Sequence, residues 1–195
     1  MAELPAMENA WLLMKDGRIS GFGPMDELSP ELRSGTRELD ASGRYVLPAW
    51  CDSHTHLVFA ASREEEFVMK IRGSSYEEIA AAGGGILNSA RRVQQAGEDE
   101  LYDAAWQRLD EVIRLGTGAI EIKSGYGLTA DAELKMLRVI RRLKSAAPIP
   151  VKATFLGAHA YPAEFRNNHP GYLQILKDLI PRLAGEGLAD YIDVF

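Results

Sequence analysis

The sequence is poor in the features that mark several classes of protein. It has one cysteine, Cys51, in 195 residues, so no internal disulfide can form. It has no apolar run long enough to span a bilayer, and its N-terminus lacks the basic and then apolar order of a signal peptide. Its formal net charge is -6 and it has no basic stripe, which argues against nucleic-acid binding. These absences predict a soluble, cytoplasmic protein that binds neither membranes nor nucleic acids.

The overall amino-acid composition is typical of a globular protein. Hydrophobic residues make up 46% of the chain and charged residues 26%, which is enough apolar material to bury a core. The pattern of residues 1–44 predicts part of a small β domain. The apolar runs 10–14 and 18–22 flank Asp16-Gly17, and Asp-Gly between two such runs is a strong hairpin signal.

Strands alternate with helices from residue 45 onward. Apolar periodicity predicts strands at 45–56, 119–123, 151–156 and 190–195, and helices at 75–82, 98–115, 129–146 and 172–184. This alternation favours a parallel sheet with right-handed crossovers. Polar residues follow the first three strands, as at the catalytic end of a (β/α)₈ barrel, which needs about 250 residues. Residues 45–195 therefore predict the first half of a barrel, about three and a half β/α units. A complete open α/β sheet is the alternative.

The segment 52–56, Asp-Ser-His-Thr-His, carries the strongest chemical signal. A strand has a period of two residues, so His54 and His56 project from one face, where they could bind a divalent cation with one position open to water. Asp52 has the same parity and is predicted to fix a histidine tautomer. Cys51 has the opposite parity, which favours a packed apolar thiol over a third ligand. The alternative is that two histidines near a strand end make surface hydrogen bonds.

Six blocks of sequence are more specific than His-x-His alone. They are CDSHTHLVFA at 51–60, Ser62-Arg63, Gly73-Ser74-Ser75-Tyr76, Gly83-Gly84-Gly85-Ile86, EIKSGYGL at 121–128 and TFLGAHA at 154–160. In this order they resemble imidazolonepropionase of the amidohydrolase superfamily, from about residue 44 to the C-terminus. The resemblance implies an amidohydrolase-type (β/α)₈ barrel, incomplete in this chain and preceded by a small β unit, with 45–195 as the first half of a metal-dependent hydrolase barrel.

The resemblance also implies an activity. The enzymes of this family hydrolyse 4-imidazolone-5-propanoate to N-formimidoyl-L-glutamate in histidine degradation, by attack of a metal-activated water on the cyclic amide. His54 and His56 correspond to ligands of one divalent metal, zinc or iron. The residues at substrate-binding positions are Arg63, Tyr126, His159 and, as a further candidate, Tyr76. For the full-length enzyme we expect a small-molecule substrate and a homodimer.

The side chains at these positions suit a small anionic substrate. Arg63 has a planar fork that can bind a propanoate carboxylate with two hydrogen bonds. Tyr126 and His159 can donate hydrogen bonds to substrate oxygens. The alternatives are a solvated charge cluster for Arg63, a turn aromatic for Tyr126 and a core histidine for His159. Glu121 and Lys123 share a strand face and are predicted to form an ion pair inside the barrel.

Two departures from the family pattern limit what this chain is expected to do. Ala49 follows Pro48 where the family usually has glycine. The remaining metal ligands and the catalytic residues are expected beyond Phe195, so the chain is expected to be an N-terminal portion without activity of its own. Two other functions stay open: another amidohydrolase, such as a nucleobase deaminase, and a non-catalytic half-barrel module. Arg63 and Tyr126 argue against a deaminase, because a neutral base needs no carboxylate clamp.

Overall fold

The chain divides into two units, one that ends at Pro48 and one that covers Ala49–Phe195. This division comes from a computed structural model that describes residues 5–195, without the side chains of Ala80 and Ala81. Residues 1–4, which belong to the predicted small β domain, lie outside the described residues.

The first unit contains the predicted hairpin. Strands β1 (Ala10–Lys15) and β2 (Arg18–Pro24) pair antiparallel, with Lys15 opposite Arg18. The two residues between them, Asp16 and Gly17, have φ of 52° and 72°, as the tight turn of a two-residue hairpin requires. A short 3₁₀ helix (Met25–Glu27) and helix α1 (Pro30–Arg33) follow.

The second unit is built on the predicted parallel sheet. Its four strands are β3 (Trp50–Thr55), β4 (Thr117–Lys123), β5 (Val151–Ala158) and β6 (Tyr191–Val194), and they lie side by side in chain order. All three pairings are parallel. Four consecutive parallel strands with connecting helices form half of a (β/α)₈ barrel, so the predicted fold class is confirmed. Strand β3 starts later than predicted, at Trp50, because the strand beside it begins at Thr117.

Helices connect the strands. They are α2 (Glu64–Ile71), α3 (Tyr76–Ala81), α4 (Ile86–Gln95), α5 (Glu98–Arg114), α6 (Ala130–Ala146) and α7 (His169–Glu186), with a 3₁₀ turn at Ala163–Phe165. The sequence pattern did not predict α2 and α4. In α2, three glutamates occupy the first turn, where the helix dipole favours acidic side chains, so the charge cluster is also a helix start. No helix of residues 5–195 is long and apolar enough to cross a membrane.

The core lies between the sheet and helices α5, α6 and α7. The fully buried members of this core include Leu101, Leu109, Ile122, Leu137, Ile140 and Leu143. The predicted apolar stripes of the two long helices therefore face the sheet. The side chain of Thr129 accepts a hydrogen bond from the backbone N–H of Ala132 and caps the start of α6.

The sheet also has an uncovered side. A cavity of about 550 Å³ is lined by residues of all four strands, among them Cys51, Glu121, Thr154 and Asp193. Cys51 is exposed, so the prediction of a packed thiol is wrong. The reason is that Cys51 lies on the side of the sheet that lines this cavity, where nothing among residues 5–195 packs over the thiol. All four residues of β6 are exposed as well, as expected for the last strand of an incomplete barrel.

Candidate active site

Four of the predicted site residues form one cluster of rings. His54 and His56 have ring centroids 5.5 Å apart, and His56 stacks on His159 at 5.1 Å. The Tyr126 ring lies 4.9 Å from His56 and 5.3 Å from His159. The four residues come from three different strand ends, those of β3, β4 and β5. Because these strands are parallel neighbours, their carboxyl ends meet at one edge of the sheet and bring together side chains that are distant in the sequence.

His54 in β3 and His56 directly after it place two imidazoles where they could bind a metal. The Nδ1 atom of His56 is buried and has no hydrogen-bond partner among the described residues. Burial, together with the neighbouring His159 and His54, lowers the pKa of His56 from 6.5 to about 4. The imidazole is therefore neutral at neutral pH, which is the form that coordinates metal ions. Within residues 5–195 no group of three His, Cys, Asp or Glu side chains could hold a metal ion. The two imidazoles fit part of a zinc or iron ligand set.

The predicted contact between Asp52 and an imidazole is not formed in the described part of the chain. Its Oδ1 accepts a hydrogen bond from the backbone N–H of His54 at 3.3 Å. A short aspartate side chain reaches the backbone two residues ahead more easily than it reaches a ring on the same strand face. Asp52 therefore supports the strand end and not the tautomer of a ligand.

The low pKa of His56 predicts how the stability of the metal-free chain depends on pH. Above pH 6.5 the imidazole is neutral in both the folded and the unfolded chain. As the pH falls from 6.5 toward 4, the unfolded chain binds a proton at His56 that the folded chain does not, so the free energy of unfolding decreases. We expect the urea midpoint, measured with a chelator present, to fall more between about pH 7 and about pH 5 in the unmodified chain than in His56→Gln. Equal falls in the two proteins would contradict the burial of a neutral His56.

A buried carboxylate holds the loop that carries Tyr126. The Glu133 side chain is fully buried in the first turn of α6. Its Oε2 accepts from the N–H of Gly125 at 2.9 Å, and its Oε1 accepts from the N–H groups of Gly127 and Leu128 at 2.7 and 3.1 Å. Burial raises the pKa of Glu133, and the hydrogen bonds from this loop oppose that rise. The sequence pattern gives Glu133 no role in the site, only a place near the start of the predicted helix 129–146. A sequence signal that could have indicated this role is a glutamate in the first turn of a helix, when that helix directly follows a Gly-Tyr-Gly loop.

His159 is tied to the same loop. Its Nδ1 lies 3.0 Å from the carbonyl oxygen of Gly125. A carbonyl oxygen can only accept, so Nδ1 carries the proton and Nε2 is unprotonated in the neutral ring. The loop therefore contributes both a site residue, Tyr126, and the partner that sets the tautomer of another.

Arg63 and Tyr76 lie outside the ring cluster. Arg63 precedes α2 and forms an ion pair with Glu66, with its Nε 2.7 Å from Oε2. The other oxygen of Glu66 accepts from the backbone N–H of Gly85 at 3.0 Å. The hydrogen bond to Glu66 raises the pKa of Arg63, with smaller contributions from Tyr126 and Tyr76. Tyr76 is exposed and lines a separate cavity of about 410 Å³ with the glycines at 83–85.

Three charged side chains form a network beneath the ring cluster. The Nζ of Lys123 lies 2.9 Å from Oε1 of Glu121 and 3.0 Å from Oδ2 of Asp193. The predicted ion pair between Glu121 and Lys123 is confirmed. Asp193 is an additional partner, and the sequence did not indicate it because its proximity depends on β6 lying next to β5. The network connects β4 to β6 and adds charged groups to the cavity on the uncovered side of the sheet.

The comparison with known proteins agrees with this geometry. No family model matches the chain. The chain is 56% identical over 196 aligned residues to an imidazolonepropionase of Flavobacterium johnsoniae, an alignment that covers 100% of this chain and 47% of the relative. The chain is homologous to imidazolonepropionase. Imidazolonepropionases of Christiangramia forsetii and Clostridium tetani are 53% and 43% identical, again over 100% of this chain and 47% of each relative.

The resemblance read from the six sequence blocks is thereby confirmed. The chain spans about half the length of the imidazolonepropionases that it matches, and it corresponds to their N-terminal portion. A half-length match agrees with the sheet, which has four strands of the eight that a closed barrel contains.

Proposed function

We propose that this chain forms the N-terminal half of an imidazolonepropionase active site. The reaction is hydrolysis of 4-imidazolone-5-propanoate to N-formimidoyl-L-glutamate. The observation that supports this proposal is the ring cluster of His54, His56, Tyr126 and His159 at the carboxyl ends of the strands, in a chain homologous to imidazolonepropionases. Catalytic groups of (β/α)₈ enzymes lie at this end of the sheet.

One divalent metal ion, zinc or iron, belongs to the proposal. His54 and His56 would bind it, because neutral imidazoles suit both metals and His56 has a buried, unpartnered nitrogen among the described residues. When bound, the metal would polarise the ring carbonyl and lower the pKa of a water molecule. Further ligands and the general base would come from the half of the barrel that this chain does not contain.

The substrate-binding roles follow from what each side chain can donate or accept. Arg63 would bind the propanoate carboxylate through two charge-assisted hydrogen bonds, in place of its present partner Glu66. Tyr126 would donate one hydrogen bond to a substrate oxygen. Tyr76 is a further candidate, since its hydroxyl is close enough to Arg63 to affect the pKa of that residue. Together these groups recognise a small anion with a polar ring.

The cellular setting of the complete enzyme is also proposed. A cytoplasmic location and a homodimer are expected from the relation to imidazolonepropionases. Both apply to the full-length protein.

A chimeric enzyme tests the proposal directly. The 195 residues of this chain would replace the matching portion of the Flavobacterium johnsoniae imidazolonepropionase, to which they are 56% identical. We expect the chimera to form N-formimidoyl-L-glutamate at a rate of the same order as the natural relative, because the ring cluster and the rest of the barrel would then be joined. Cytosine and guanine serve as control substrates for the alternative of a deaminase. A folded chimera without hydrolytic activity, or with deaminase activity alone, would refute the proposed function.

A further inference from the structure

We propose that Glu133 is a positioning residue that sets the tautomer of His159 and the orientation of Tyr126 through the loop 124–128. The proposal deepens the proposed function and rests on it for its catalytic meaning. Glu133 touches none of the reacting groups directly. It acts through the backbone of the loop, so its contribution is to geometry.

The first step of the argument is the number of donors that Glu133 satisfies. Its two carboxylate oxygens accept from three backbone N–H groups of one loop, those of Gly125, Gly127 and Leu128. All three bonds are 3.1 Å or shorter, and the carboxylate is fully buried. Hydrogen bonds to a buried charged group are stronger than those between neutral groups, and each unsatisfied donor would be costly. Tyr126 lies between two of these anchored glycines, so its backbone is held on both sides.

The second step is the path from Glu133 to His159. The peptide unit of Gly125 donates its N–H to Glu133, and its carbonyl oxygen accepts from Nδ1 of His159. The nearby hydroxyl of Ser124 lowers the pKa of the same carboxylate, and its oxygen accepts from the N–H of Leu156 at 3.1 Å. Leu156 lies on β5, and His159 directly follows that strand. Glu133 is therefore connected to the His159 end of β5 by two routes.

The third step is that the loop is closely packed against Glu133, Leu156 and His159. A Cβ atom on Gly125 would lie 2.7 Å from the carbonyl oxygen of Leu156 and 3.1 Å from Nδ1 of His159. A Cβ atom on Gly127 would lie 2.6 Å from the backbone nitrogen of Glu133. Leu128 has φ of 54°, a left-handed conformation that is strained in a residue with a side chain and needs external support. The carboxylate provides that support.

The consequence for the reaction concerns the hydrogen bond that His159 offers. With the proton on Nδ1, a neutral His159 accepts at Nε2. This favours recognition of an N–H group of the imidazolone ring, in contrast to the donation to an oxygen expected from the sequence. In the other tautomer Nε2 carries the proton and is a donor, so it cannot accept a hydrogen bond from that N–H group. Glu133 thus determines which edge of the substrate His159 can recognise.

The test is a measurement of the His159 tautomer in the full 195-residue chain by nitrogen NMR. The chain has four histidines, so His159 is assigned by the signals lost in His159→Gln. We expect the Nδ1–H tautomer to dominate in the unmodified chain at alkaline pH. In Glu133→Gln, an amide NH₂ replaces one acceptor, and at least one loop N–H loses its partner. We expect the Nδ1–H tautomer to lose its dominance in this variant.

A matched control separates positioning from general loss of stability. Leu143→Ala removes a fully buried side chain near the other end of α6 and destabilises the core without touching the loop. It should keep the tautomer of the unmodified chain. If Glu133→Gln does not fold, Ser124→Ala provides a milder test, because it removes the hydroxyl near Glu133 and should shift the tautomer in the same direction. An unchanged tautomer in the folded Glu133 or Ser124 variant, or an equal change in Leu143→Ala, would overturn the proposal.

A kinetic readout in the chimeric enzyme links the tautomer to function. Glu133→Gln should lower kcat by about tenfold to a hundredfold with a smaller change in KM, because misplaced groups cost rate more than binding. Leu143→Ala should leave both constants near those of the chimera. A tautomer that shifts in a chimera without activity would support the positioning role and refute the proposed function. An active chimera in which Glu133→Gln changes neither the tautomer nor kcat would support the proposed function and refute the positioning role of Glu133.

Discussion

The isolated chain is expected to hydrolyse 4-imidazolone-5-propanoate no faster than buffer, even with zinc or iron added. It has two candidate ligands, two residues apart at the end of one strand, and residues 5–195 contain no group of three side chains that could hold a metal. Catalytic zinc sites use three protein ligands and keep one position for water. Two imidazoles bind a metal weakly and lower the pKa of its water too little for attack at neutral pH.

This expectation is checked with purified chain, each metal in excess and a sensitive assay for N-formimidoyl-L-glutamate. The chimeric enzyme described above, assayed at the same concentration, shows that the substrate and the assay are sound. His54→Ala and His56→Ala in the chimera should remove both its bound metal and its activity. Turnover by the isolated chain at the rate of an ordinary enzyme, about 10 per second, would show that half a barrel is sufficient.

Replacing Arg63 by alanine in the chimera is expected to lower kcat/KM by about a hundredfold or more. The reason is that Arg63 would offer the substrate carboxylate two charge-assisted hydrogen bonds, worth about 3 kcal/mol in total when partly shielded from water. Arg63→Lys keeps the charge but not the planar fork, so we expect it to recover part of this loss. The measurement is kcat and KM for 4-imidazolone-5-propanoate in both variants.

An arginine at the other end of the same helix provides the control. Arg72 is exposed at the C-terminal end of α2, and Arg72→Ala should leave kcat/KM unchanged. An uncharged analogue of the substrate that lacks the carboxylate should be hydrolysed equally by the Arg63→Ala chimera and the unmodified chimera. Near-normal kcat/KM in both Arg63 variants would remove this residue from the binding site.

Glu66 already occupies the guanidinium group that Arg63 would offer to the substrate. In the structure its carboxylate pairs with Arg63 and also accepts from the N–H of Gly85. A substrate carboxylate would therefore compete with Glu66 for the guanidinium group. The sequence suggested a solvated charge cluster as the alternative at this place, and the structure shows a half-buried ion pair connected to the glycine loop. That arrangement allows Arg63 to bind substrate, but the binding role itself stays a prediction.

Local sequence patterns were sufficient for most of the fold. The hairpin depends on Asp16-Gly17, whose positive φ values are a property of the turn residues themselves. The long helices α5 and α6 depend on apolar residues at helical spacing, and the parallel sheet depends on the alternation of strands and helices. Helices α2 and α4 were not predicted. In α2 the three glutamates after Arg63 were considered only as a solvated charge cluster, although acidic residues in a first turn also favour a helix start.

The residues of the candidate site could be predicted from the sequence, but the groups that hold them in place could not. His54 and His56 were identified from their spacing, since a strand of period two directs alternate side chains to one face. Tyr126 and His159 were identified through the resemblance, and their approach to the two histidines follows from parallel strand order. The partners that hold these residues were not visible in the sequence. Glu133 beneath Tyr126 and Asp193 beside Lys123 become neighbours only after the chain has folded.

By itself the sequence determined the strands, the long helices, their order and the kind of chemistry at the strand ends, because spacing, turn residues and strand parity are local properties of the chain. Only the tertiary structure decided which polar groups are buried and what they bind. Cys51 is exposed because it lies on the uncovered side of the sheet, and Glu133 is buried because a loop folds over it. Burial and hydrogen-bond partners depend on contacts between segments far apart in the sequence, and no local pattern specifies those contacts.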